Sequence, residues 1–132
     1  MKVGLIYKSG SLYPAQAPYH PSESYPELLM RGRAAQPNTV YDSVRETLHL
    51  LGYDQPHWST AGWNPLGWLI RPGETVFIKP NMIAHKHSLR DDWDYVITHG
   101  SVIRAVVDYV YIALQGRGRI QIGDGPQTDS KW

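Results

Sequence analysis

Thr75-Val76-Phe77-Ile78-Lys79-Pro80-Asn81 sets four β-branched or aromatic residues against a charged, proline-bearing stop. The four show no polar alternation, the pattern of a strand covered on both faces. Arg71-Pro72-Gly73-Glu74 before them reads as a turn. After them, residues 82–98 form a long loop, and Thr98 or Ser101 is expected to cap a helix. Val102, Ile103, Val106, Val107, Val110 and Leu114 would form its apolar face, and Gln115-Gly116-Arg117-Gly118 its end. Arg119 to Ile122 reads as another strand, closed by Gly123-Asp124-Gly125-Pro126. Strand, helix and strand in this order imply parallel strands joined by a crossover. Both strands then release their following loops at one edge, where ligands of such sheets bind.

Upstream, Lys2 to Tyr7 reads as a short buried strand that stops at Lys8-Ser9-Gly10. Residues 9–38 hold Pro14, Pro18, Pro21, Pro26 and Pro37, a density that forbids a long helix or a central strand. An excursion of about 30 residues is expected to be functional or mobile, with room for one helical turn at Glu27 to Arg31. Asn38 or Thr39 then offers an N-cap, Val40, Val44, Leu48 and Leu51 follow at helical spacing, and Gly52 supplies the stop. Residues 53–69 are a second irregular segment, with Trp58, Trp63 and Trp68 among Gly and Pro. The expected fold is therefore α/β: an open, mostly parallel sheet in strand-helix-strand-helix-strand order, with insertions at about 9–38, 53–69 and 82–98.

A chain of 132 residues defaults to one domain, small for a complete doubly wound sheet. Apolar residues at 42% and charged residues at 19% are ordinary for a globular protein. A net charge of +1 gives no global field to recruit nucleic acid or anionic lipid. With no cysteine, the chain carries no disulfide, thiolate nucleophile or cysteine-ligated iron–sulfur cluster. The opening residues do not form a signal peptide, and no apolar run approaches the roughly 20 residues of a membrane span, so the expected location is cytoplasmic.

The crossover unit concentrates the chemistry. The first strand delivers Lys79 and Asn81 to the carboxyl edge, and the helix presents free amides there near Ser101. The last strand adds Gly123, Asp124, Gly125 and Gln127. A lysine beside a helix start is a candidate anion site. A nearby carboxylate can bind a metal or act as general base, and glycines allow close approach of a ligand. The plainer reading is a tight Gly-Asp-Gly-Pro turn and a solvated lysine. His99, just before the helix, is a candidate acid–base group or simply a cap. His85 and His87, followed by Asp91, Asp92 and Asp94, resemble a weak divalent-metal set to which Asp124 could add, although a solvated loop explains them as well. The tryptophans are read as packing of an irregular loop, with a stacking surface as the minor alternative. No Gly-x-Gly-x-x-Gly, Walker or Gly-x-Ser-x-Gly motif occurs, which removes most of the case for nicotinamide, P-loop and serine-hydrolase chemistry.

Taken in order, Pro72 to Asn81 resembles the "G-x-x-V-x-I-K-P-N" signature of the domain of unknown function 362 family. Ile97 to Val110 resembles its threonine–histidine–helix segment, and Ile120 to Pro126 its strand and "D-x-P" turn. Asn64-Pro65-Leu66-Gly67 is similar to a shorter motif of one bacterial branch. The likeness spans residues 38–132. It implies an α/β domain without a settled reaction, and it groups Lys79, Asn81, His99 and Asp124 as a functional set. Members often carry or neighbour a cysteine-rich ferredoxin-type module, and this cysteine-free chain cannot hold one. Family domains run past the Asp-x-Pro turn, so the expectation is an incomplete domain whose exposed sheet edge invites a second copy or a partner chain.

Three functional readings follow. The first is an enzyme acting on a small anionic or phosphorylated substrate. Lys79 and the Ser101 amide would hold the anion, Asp124 would serve as base or metal ligand, and His99 as acid–base partner. The second is a non-catalytic binding or accessory module using the same edge. The third is a structural fragment whose motifs only shape loops.

Overall fold

The computed structural model describes residues 2–30, 32–83, 87, 89, 93 and 96–125. Its regular elements are helix α1 (Thr39–Leu50), a 3₁₀ turn at Gln55–His57, strand β1 (Thr75–Ile78), helix α2 (Gly100–Leu114) and strand β2 (Arg119–Ile122). β1 and β2 pair in parallel, with Thr75 opposite Arg119 and Ile78 opposite Ile122. Backbone bonds from Arg119 to the Glu74 carbonyl and from Gly123 to the Ile78 carbonyl continue the ladder at its two ends. Gly118 makes the tight entry to β2 possible. Its φ is +120°, and a Cβ there would lie 2.3 Å from the Glu74 carbonyl oxygen.

Local signals set the helix ends. The Asn38 side chain accepts the Tyr41 amide at the start of α1, and Gly52, at φ +77°, closes its end by donating to the His49 carbonyl. The face of α1 that is most deeply buried carries Tyr41 and Arg45, with Val44 and Leu48 half-buried beside them. On α2 the buried stripe is Ser101, Ala105, Tyr109, Val110, Ala113 and Leu114. Of the expected stripe, Val110 and Leu114 are buried and Val106 packs beside them, whereas Val102, Ile103 and Val107 are only half-buried, so the buried face is partly rotated. α2 is apolar nearly all round, so hydrophobicity alone does not choose a face. Packing selects the small Ser101 and Ala105, which let another element approach closely.

Two clusters form the core, and both use α2. Tyr41, Trp63, Ala105 and Tyr109 join α1, α2 and the tryptophan loop. Ile70, Val110, Ala113 and Leu114 join α2 to the inner face of the strands through Val76, Ile78 and Ile120. Within the first cluster lies an ion pair. Glu27, fully buried, accepts from Arg45 Nε at 2.7 Å, from Arg45 Nη2 at 3.2 Å and from the Tyr109 hydroxyl at 3.0 Å. The guanidinium lies 4.0 Å from the ring centroids of both Tyr25 and Trp58. Burial and then the Glu27 charge push the Tyr109 phenol above its ordinary range, so it remains a protonated donor. Trp58 and Trp63 are packing residues, while Trp68 stacks on Tyr53 at the surface.

Four expectations are corrected. Lys2 to Tyr7 form no strand, so among the described residues the sheet has two strands rather than three. The segment instead lies along α1. Gly4 meets Thr47 and Leu51, and Lys8 pairs with Glu46 at 2.7 Å, which turns Val3, Leu5 and Tyr7 outward at 80%, 83% and 86% exposure. Second, among the described residues β1 is covered on one face only, because α2 packs on the side of Val76 and Ile78 and leaves Phe77 61% exposed. Third, the cap of α2 is His99, rather than Thr98 or Ser101. Fourth, around Glu27 the proline-rich segment shows an isolated turn, with Leu28 donating to the Tyr25 carbonyl, rather than the start of a helical turn. It is tied down, since the buried Asn38 side chain donates to the Tyr19 and His20 carbonyls. No helix among the described residues is long and apolar enough to cross a membrane.

Candidate functional site

The in-register pairing of Ile78 with Ile122 sends Lys79 and Gly123 out of the same edge. Asp124, one residue further, turns back to Lys79, with Nζ–Oδ1 at 2.8 Å. The same Oδ1 accepts the Gly125 amide at 2.8 Å, and Oδ2 accepts the Met82 amide at 2.8 Å. The Asp124 side chain is only 7% exposed, whereas Lys79 is 63% exposed. The Lys79 ammonium first, then the Met82 amide, hold the Asp124 carboxyl below the usual carboxylate range. Asp124 is therefore a fixed carboxylate that positions the lysine and pins the loop after β1.

Asn81 ties this edge to the start of α2. Its amide donates to Thr98 Oγ1 at 2.8 Å, and its carbonyl accepts the Thr98 amide at 2.8 Å. An isolated antiparallel bridge between Met82 and Ile97 closes the neck of the loop. Lys79, Asn81, Gly123, Asp124 and Gly125 are thus brought together beside the helix start. Among the described residues a Cβ at Gly125 would meet nothing within 4 Å, which leaves room beside the backbone there.

His99 and Ser101 serve each other. The His99 Nδ1 accepts the Ser101 amide at 3.2 Å and lies 2.8 Å from Ser101 Oγ, which places the proton of the neutral ring on Nε2. Val102 and Ile103 amides donate to the His99 carbonyl. Ser101 is fully buried, and its amide is already committed, so it does not supply the free helix N–H expected for an anion. The His99 ring stacks on Tyr13 at 4.3 Å and meets the edge of Tyr19 at 5.2 Å. It packs the proline-rich segment against α2.

Of the metal candidates, His87 accepts the Leu89 amide at Nδ1. His85, Asp91, Asp92 and Asp94 lie outside the described residues, as does Gln127. Among the described residues no three His, Asp or Glu side chains gather as a metal-ligating group.

Sequence reasoning missed two features. Arg45 and Glu27, which no sequence signal singled out, are buried partners. The proline-rich segment folds into the wall of a cleft, for which proline density was the only signal. Searches against protein-family models, curated proteins and solved structures find no match to this chain.

Proposed function

We propose that this protein is a non-catalytic binding module that holds a small anionic or phosphorylated ligand at the carboxyl edge of its sheet. The observation that carries the reading is the Lys79–Asp124 pair, 2.8 Å apart on the rim shared by β1 and β2. Asp124 fixes the ammonium in place, and the exposure of Lys79 leaves its other N–H groups directed to solvent and available to an oxyanion. Gly125 lets that anion approach the backbone. Binding without turnover is favoured over catalysis because both acid–base candidates are committed elsewhere. Asp124 accepts from Lys79, Met82 and Gly125, and His99 caps α2 while stacked on Tyr13. The ordered likeness to the domain of unknown function 362 family supports the same rim, since Lys79, Asn81 and Asp124 fall within its motifs.

The test is thermal unfolding of the wild type, Lys79→Ala and Lys79→Arg with inorganic phosphate and with glycerol 3-phosphate. A ligand present at 100 times its dissociation constant stabilises the folded state by about 2.7 kcal/mol. The expected result is stabilisation of the wild type, partial retention in Lys79→Arg and loss in Lys79→Ala. Equal stabilisation of all three proteins, or of none, contradicts the proposal.

A further inference from the structure

We propose a second ligand site, independent of the Lys79 rim: the cleft in the proline-rich segment takes a small planar organic anion, of the aromatic-carboxylate class. The cleft has a volume of about 630 Å³ and lies between residues 10–20 and 33–39. That volume falls within the roughly 300–1,000 Å³ typical of small-molecule sites. Its walls include the flat rings of Tyr13 and His20 and the apolar Pro14, Pro18 and Pro37, a lining suited to an apolar ring. Among the described residues Arg33 is the one Lys, Arg, Asp or Glu side chain lining it, and none of the acids described lines the cleft to oppose its charge. Among the described residues Arg33 has no ion-pair partner. A guanidinium offers a carboxylate two parallel N–H donors, which fixes orientation as well as charge.

The cleft is built rather than incidental. The Asn38 amide holds the Tyr19 and His20 carbonyls at 3.1 and 2.9 Å, and Arg104 Nη1 holds the Pro18 carbonyl at 2.8 Å. The Ala34 amide donates to the Pro21 carbonyl at 2.9 Å, clasping the two walls together. Stacking of Tyr13 on His99 anchors the near wall to α2. His20, which lines the cleft, has its Nδ1 buried with no hydrogen-bond partner among the described residues, and Gly32 packs against the ring so closely that a Cβ would lie 2.3 Å from Cε1. Walls held by buried side chains keep their shape in the free protein, which lowers the ordering cost of binding.

The test uses 2-naphthoate as probe, with 2-naphthylmethanol as its neutral counterpart and acetate as an anion without a ring. Amide chemical shifts are followed for the wild type, Arg33→Ala and Lys79→Ala. The expected result is that 2-naphthoate shifts the amides of Tyr13, Tyr19, His20 and Arg33. It should bind about tenfold tighter than either control, the size of one charge-assisted contact. Arg33→Ala, an exposed substitution that leaves the fold's amide spectrum intact, should remove that tenfold advantage. Lys79→Ala and excess inorganic phosphate should leave binding unchanged. Equal binding of the alcohol, undiminished binding by Arg33→Ala, or shifts confined to Lys79, Met82 and Gly125 would each overturn the proposal. The last outcome would assign the naphthoate to the sheet edge instead.

Discussion

Asp124 accepts hydrogen bonds from one ammonium and two backbone amides, and each of these favours the ionised carboxylate. Its folded-state pKa is depressed, so the clasp contributes fully above the ordinary Asp value of about 3.9 and is lost as pH falls through the lower folded value. The Met82 amide resonance should report a titration below that ordinary value, and Lys79→Ala should move the midpoint upward. A midpoint unchanged by the substitution would show that Lys79 does not hold the carboxylate. Glu27 and Arg45 pose the opposite case, a charge pair inside the core. Glu27→Ala leaves a guanidinium buried between Tyr25 and Trp58 without its counter-ion. Urea unfolding should show a loss of about 3–5 kcal/mol, the cost of breaking a buried pair from one side. Neither residue was legible in the sequence as a core member, because charge at a single position ordinarily marks solvent. The pair becomes visible only when the turn at Tyr25 to Leu28 folds back over α1.

Elements were legible in proportion to how local their causes are. The ends of α1 could be read because Asn38 and Gly52 act within a few residues of the helix they bound. His99 was read as the cap of α2 only as the plainer alternative to an acid–base role, since Ser, Thr, Asp and Asn lead that position and Thr98 and Ser101 stand on either side. The strand expected at Lys2 to Tyr7 failed for a long-range reason. A strand exists only against a partner, and Gly4, Ile6 and Lys8 find α1 instead. Asn38 combines a helix cap with the brace of the cleft wall. Asn38→Ala should therefore cost more than the typical cap loss of about 1 kcal/mol, with altered amide shifts at Tyr19 and His20. A loss confined to α1, with those shifts unmoved, would separate the two roles. Gly118→Ala places a methyl against the Glu74 carbonyl at φ +120°. It should destabilise by about 2 kcal/mol or more, measured by thermal unfolding.

Across the whole molecule α2 is the element shared by both core clusters. A two-stranded sheet is not independently stable and depends on the helix that covers it. Amide exchange should be slowest in the middle of α2, near Tyr109 and Val110, and fastest along residues 2–8. The open outer face of the sheet, with Phe77 exposed opposite Gln121, was not foreseen, because an unbroken apolar strand reads as covered on both sides. The common rim was foreseen, because a helix between two parallel strands forces their following loops to one edge whatever the surrounding loops do. The roles of the residues on that rim were not, since each depends on which donor reaches which acceptor. The central claim is that this rim binds an anion through Lys79. It is tested most directly by following the Lys79, Met82 and Gly125 amides during titration with inorganic phosphate. The account predicts saturable shifts at these amides in the wild type and their loss in Lys79→Ala. Shifts that are absent from the wild type, or that persist after the substitution, would contradict it.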